Sequence, residues 1–201
     1  SAQWGPFIMA AALIPFMLGF VGAKPNLGVA VTAAYLTRVG LVSIVVVSLI
    51  TLIIMPTWPL EWLENLGEEH HSPPVLGLSG LGLILLLALV AVRLPSARLL
   101  TMSALVPQLI WWNDPLILWL IPQTLRQSLF LTGASWAGYG AWCLWSYGPA
   151  HVNIPESAPS IFIGAYFPAL LLVLWQYAKA NGYVLRARHA WQSRGSAASS
   201  D

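Results

Sequence analysis

Arg38-Val39-Gly40-Leu41-Val42-Ser43-Ile44-Val45-Val46-Val47-Ser48-Leu49-Ile50-Thr51-Leu52-Ile53-Ile54-Met55-Pro56-Thr57-Trp58 holds an apolar stretch, residues 39–55, that reads as a membrane helix between Arg38 and the loop that carries Trp58. After Arg38 no charge interrupts it. Arginine and tryptophan are the side chains that settle at membrane–water boundaries, the arginine on the cytoplasmic side. Crossing the hydrocarbon core takes about 20 largely apolar residues, each adding ~1.5 Å of rise. Working outward, residues 6–23, 75–92 and 161–178 qualify or nearly so, and residues 127–147 are long enough but carry several glycines. Between residues 99 and 125 two shorter apolar runs flank Asn113-Asp114-Pro115. Each is a short helix, or one lengthens by letting Arg98 or Arg126 snorkel to the interface. Residues 27–37, after the Lys24-Pro25 break, form a helix along the cytoplasmic surface or a half-helix dipping into the membrane.

Composition points the same way. Of the 201 residues 58% are hydrophobic and 8% charged, against roughly 25% charged for an ordinary soluble domain. So few charges leave large apolar patches that water does not tolerate and lipid does. Eleven tryptophans and six tyrosines suit interfacial belts. A net charge of +2 gives no reason to expect a nucleic-acid partner. The single cysteine, Cys143, has no partner within the chain for a disulfide and reads as a packed thiol.

Charge placement orients the bundle. With the N-terminus outside and connections alternating, all nine basic residues fall on one side: Lys24, Arg38, Arg93, Arg98, Arg126, Lys179, Arg186, Arg188 and Arg194. Six of the seven acids (Glu61, Glu64, Glu68, Glu69, Asp114, Glu156) fall on the other, and only Asp201 departs. The basic side is cytoplasmic by the positive-inside rule. The expected fold is therefore an all-α polytopic bundle of about seven membrane-embedded segments, some short or broken, with the C-terminus in the cytoplasm. Residues 1–180 form one transmembrane domain and residues 181–201 a basic, small-residue tail that frays. Residues 1–23 lack the basic n-region of a signal peptide. Ser1 in first place is expected of a processed chain or a piece of a longer one.

Several local patterns invite a functional reading, each beside a plainer one. Gly77-Leu78-Ser79-Gly80 matches the Gly-x-Ser-Gly of intramembrane serine proteases. The histidine that would activate the serine is missing from any helix, His151 lying in a proline-bounded loop, so close helix packing by small residues is preferred. Glu68-Glu69-His70-His71 gathers metal-ligating side chains, but adjacent helical residues do not face one another; a solvated acidic loop is expected, and no metal or cofactor. The outside loop 57–74 spaces Trp58, Leu60, Trp62, Leu63 and Leu66 as a short interfacial amphipathic helix. Trp58 and Trp62, with Trp111 and Trp112, are expected to be interface anchors. Asp114 before Pro115 suits a helix start better than an intramembrane carboxylate. Lys24, Arg38 and Arg126 are the candidates for contact with lipid phosphate. Lys24 precedes a proline that starts a helix, whose free N–H groups favour an anion. The plainer reading of Lys24 and Arg126 is a positive-inside anchor.

The run Ala23-Lys24-Pro25-Asn26-Leu27-Gly28 resembles the Lys-Pro-Gln segment of bacterial membrane glycosyltransferases of the GT-C fold, family eighty-seven in particular. Gln3-Trp4-x-Pro6 before the preceding helix, Trp58-Pro59-Leu60-x-Trp62, Pro107-Gln108 and Asp114 follow the same order, so the resemblance covers about residues 3 to 130. It implies a transferase in a bacterial-type cytoplasmic membrane, taking a sugar from a polyprenyl-phosphate donor at the outer face. Asn26 stands where the family more usually has glutamine. The family's catalytic acid lies in an early outside loop that would precede this sequence, so no residue here inherits that role and Asp114 is not assigned it.

A second class of function is a non-catalytic transmembrane subunit of an energy-converting or transport assembly, with membrane lipids and other subunits as partners. The lack of ionisable residues within the helices favours it, since pumps and transporters keep such residues in their bundles.

Overall fold

A computed structural model of the chain describes residues 5–66, 75, 80–106, 114–146 and 159–182. All regular structure among them is helical, as expected. The helices are numbered in chain order whatever their winding: α1 (Gly5–Ala11), α2 (Pro15–Ala23), α3 (Pro25–Tyr35), α4 (Arg38–Ile54), α5 (Trp58–Leu66), α6 (Gly80–Ala91), α7 (Pro95–Leu105), α8 (Asp114–Leu120), α9 (Leu125–Ser146) and α10 (Pro159–Ala180). Helices α2, α6 and α8 are wound as 3-10 helices, and α10 contains a π turn at Phe162–Tyr166.

Residues 6–23 do not form the single crossing expected of them. Proline disfavours helical backbone at the residue before it, and Ile14, ahead of Pro15, is extended at φ −120°, ψ 94°. The chain turns there, and α2 folds back on α1. The Phe7 and Phe20 rings meet edge-on with centroids 5.6 Å apart, where a continuous helix would hold them about 20 Å apart. The hairpin tip is apolar and open, with Leu13 80% exposed.

This reversal changes which residues share an end of the molecule. Helix α2 runs parallel to α4: Ser43 Oγ donates to Phe16 O near the start of both, and Gly22 and Ala23 lie by Thr51, Met55 and Trp58 at the finish. A Cβ on Gly19 would fall 2.7 Å from Val47 Cγ2, so only glycine lets these two helices approach so closely. Lys24 therefore sits at the Trp58 end of α4, opposite Arg38. Helix α3, expected to hug one surface or dip part-way, instead runs back through the core with Leu27, Ala30, Val31 and Ala34 buried.

The other described cations collect at the Arg38 end. There Arg98 Nη2 donates to Ala34 O (3.2 Å) at the close of α3, and Tyr35 donates to Leu120 O (3.3 Å) at the close of α8. Ser96 Oγ donates to Gln176 Oε1 (2.8 Å), and Gln176 Nε2 donates to Ile121 O (2.8 Å). Arg93, Arg126 and Lys179 stand within a few residues of this knot. Lys24, Glu61, Glu64 and the start of α8 at Asp114 mark the opposite end. These five cations share one end of the molecule and Lys24 stands at the other, because the hairpin adds a reversal that hydropathy does not register.

Helices α3, α7 and α10 supply most of the core, α6 and α9 add one face each, and α4 contributes no fully buried hydrophobic side chain. In α6 the buried positions are Gly82, Leu85, Ala88 and Ala91, one residue in three. That period matches the 3-10 winding, in which side chains three apart eclipse. The remaining leucines, Ile84 and Val90 are exposed. In α4 only Gly40 is buried, and Ile53 is 81% exposed. Among the described residues one helix, Pro159–Ala180, is long and apolar enough to cross a membrane; Arg38–Ile54 and Leu81–Ala91 are shorter apolar helices.

Candidate functional site

The corner between α2 and α3 carries the strongest site geometry. Lys24 ends α2, its N–H bonding Val21 O (3.3 Å), and its carbonyl accepts from Gly28 N (2.9 Å) in the first turn of α3. Pro25 occupies the first helical position, where its missing N–H costs nothing and its fixed φ suits the helix. Gly28 permits the sharp corner, because a Cβ there would lie 2.7 Å from Val21 Cβ. Helix geometry leaves the first N–H groups of α3 unclaimed within the helix, so positive potential gathers beside Lys24.

Two cavities open at this corner. One, of about 320 Å³, lies between α2 and α4 and is lined by Gly19, Phe20, Ala23, Val47, Ser48, Thr51 and Met55. The other, of about 460 Å³, lies between α3 and α4 and is lined by Val21, Pro25, Val29, Thr32, Ala33 and Ile44. Gly22 and Trp58 line both. The Trp58 ring stands 3.8 Å from where a Gly22 Cβ would be, an ordinary contact distance, so the indole lies against Gly22 where both clefts meet them. Thr57 Oγ1 donates to Glu61 Oε1 (2.6 Å) across the first turn of α5, holding the start of the helix that carries Trp58. Trp58 Nε1 and Thr32 Oγ1 are buried and without hydrogen-bond partners. Both are polar atoms in otherwise apolar walls, and such atoms ordinarily have a partner when buried.

The three candidate phosphate contacts are not brought together. Lys24 is at this corner, whereas Arg38 and Arg126 are exposed at the other end. Trp58, expected as an interface anchor, is half-buried and lines both clefts. The helix α5 expected around it is present. A helix does begin at Asp114-Pro115, with Pro115 buried. Trp111 and Trp112, the Gly77–Ser79 part of the protease-like motif, the Glu68–His71 cluster, His151 and the tail from residue 183 lie outside the described residues, and so does the side chain of Trp62. Cys143 is half-buried on α9.

Sequence reasoning passed over Gln176 and Ser96. The available signal was a glutamine within an apolar span, where a polar side chain is expensive and needs a partner. Compared with models of protein families, with curated proteins and with solved structures, the chain shows no match.

Proposed function

We propose that this chain is a multi-pass integral membrane protein whose Lys24 end faces outward and whose arginine end faces the cytoplasm. In this reading Lys24 holds the phosphate of a polyprenyl-phosphate sugar, as part of a glycosyltransferase whose catalytic loop is not in this chain. The observation that carries it is the position of Lys24. Its neighbours Ala23 and Pro25 each line one of the two apolar clefts, and it stands beside the N-terminus of α3, at the end opposite the arginines. An outer-face reaction on a lipid-linked donor needs its cation at that end. The apolar exposed faces of α4, α6 and α9 support the membrane setting.

Topology is tested by labelling single-cysteine variants in a Cys143→Ala background with an impermeant maleimide on intact cells. K24C and E61C are expected to label from outside, and R38C and R126C only after permeabilisation. Labelling of K24C together with R38C would place the hairpin wrongly. For the ligand, polyprenyl phosphate is titrated onto the purified chain in nanodiscs. A charge-assisted hydrogen bond contributes about 1.5–3 kcal/mol, so Lys24→Gln should weaken binding about ten- to a hundredfold. Arg38→Gln and Arg126→Gln should leave it unchanged. Equal affinity of Lys24→Gln and the parent chain would remove the reading.

A second reading, a non-catalytic transmembrane subunit of a larger assembly, is favoured by the interior. Ser96, Thr101, Ser103 and Gln176 are the buried polar residues apart from Tyr166, and no buried residue among those described is charged. Fixed-ratio companions in a mild-detergent preparation would support this alternative.

A further inference from the structure

We infer that the outward ridge of α10 docks a membrane helix of another polypeptide, which donates a hydroxyl or amide hydrogen bond to Ile163 O. This rests on the reading of the chain as a subunit of a larger membrane assembly and goes beyond it in placing the interface and naming the chemistry it requires.

Pro159, Ile163, Phe167, Leu171, Trp175 and Lys179 are exposed and recur every four residues, which sets them along one side of α10. The other faces of the helix pack into the core. The π turn lies on the exposed ridge. Pro168 has no N–H, and in an α-helix its ring would collide with Gly164 O. The turn widens there, and Phe167 N–H pairs with Phe162 O, five residues back. Ile163 O is thereby left without a backbone donor in either winding. Its α partner, Phe167 N–H, is taken, and its π partner would be residue 168, the proline. No side chain among the described residues donates to it. A helical carbonyl points toward the residue four ahead, so this oxygen faces the gap between Ile163 and Phe167, both of them exposed.

Depth decides what can cover it. Counted from Lys179 at ~1.5 Å per residue, the oxygen lies about 20 Å into the span, inside a hydrocarbon core about 30 Å thick. Lipid tails offer no donor, and backbone that departs from helical pairing at such depth is found against protein or in a water-filled cavity. A second copy, related by a twofold axis along the membrane normal, brings Pro159, Ile163 and Phe167 to the same level, and none of these has a side-chain donor. The partner is therefore a different chain, with Ser, Thr, Asn or Gln at that level.

The test uses the full chain in phosphatidylcholine vesicles and two dansyl-labelled polyleucine transmembrane peptides. One carries a single asparagine at the level of Ile163, the other the same asparagine at the level of Leu171, so that both self-associate alike. Energy transfer from the chain's tryptophans reads binding. The first peptide should bind about three- to thirtyfold more tightly than the second. Pro168→Ala restores the missing N–H and should erase that difference. The comparison of the two peptides on the unmutated chain keeps the test independent of variant folding. Equal binding there would overturn the proposal, the carbonyl then being met by water. Ready disulfide formation between copies of Ile163→Cys, in a Cys143→Ala background, would overturn it in favour of a second copy. If companions still co-purified in fixed ratio in either case, the subunit reading would survive with its interface elsewhere. Release of the chain from vesicles by alkaline carbonate would remove the membrane setting and the docking ridge together.

Discussion

Gly138→Leu is expected to separate α9 from α10 and to lower the thermal midpoint of the purified protein more than any other substitution proposed. A Cβ at Gly138 would lie 2.7 Å from Gly164 Cα and 2.8 Å from Ser160 O. Both are backbone atoms, so no side chain can swing aside to make room. Gly164 is the reciprocal half: its Cβ would meet Gly138 Cα at 2.9 Å and Ala134 O at 3.2 Å. Small residues at such a crossing are how helices approach closely in membranes. Overpacking typically costs about 1–3 kcal/mol, and a leucine driven into backbone belongs at or above the top of that range. The control lies on the same helix. A Cβ added at Gly133 or Gly140 would meet nothing within 4 Å, so alanine there should be neutral or stabilise by about 0.5–1 kcal/mol through helix propensity. Melting curves of the Gly138, Gly133 and Gly140 variants and the parent chain in one detergent decide the matter. Equal losses at Gly138 and Gly133 would mean that the crossing is not where the stability lies.

Gln176→Leu carries the second large effect. Its amide links α7 through Ser96 to the end of α8 through Ile121 O, and the side chain is 6% exposed. Leucine has a similar volume and leaves both partners unpaired. An orphaned buried group costs about 1–3 kcal/mol, although polar pairs between membrane helices average nearer about 0.6 kcal/mol by double-mutant cycle. A loss of about 2 kcal/mol is expected for Gln176→Leu. The double variant Gln176→Leu, Ser96→Ala should recover part of it, because one of the two abandoned partners is then gone. Strict additivity of the two changes would show that the Ser96–Gln176 bond contributes nothing.

How much of this was legible in advance varies by element. The all-helical class was plain from runs such as residues 39–55. The break at Asn113-Asp114-Pro115 and the helix after Thr57 were read from proline, capping and spacing, while the runs on either side of the break were left as short helices or as one lengthened by snorkelling. The hairpin at residues 12–14 was not, although Pro15 was in view. Hydropathy integrates over a window and is blind to direction, so two antiparallel half-length arms look like one crossing. That single omission put Lys24 with the arginines. The paired clefts were beyond reach for a related reason: they depend on Gly22 facing Trp58, a contact between residues far apart in the chain. The Ser96–Gln176–Ile121 link is equally non-local, and only its glutamine announced a need for a partner.

The winding of α6 ties length to rotation. At ~2.0 Å per residue its 12 residues reach about 24 Å, as far as roughly 16 residues of α-helix. Rewound as an α-helix, the same segment would shorten to about 18 Å. Each step of three residues would then fall about 60° short of a full turn, carrying Gly82 and Ala91 to opposite sides of the cylinder. The helix cannot contract without tearing its inner stripe from its neighbours. In the membrane setting proposed above, a thinner bilayer would have to be met by tilt of the whole element, so the spacing of Gly82, Leu85, Ala88 and Ala91 would set a matching thickness as well as a packing face.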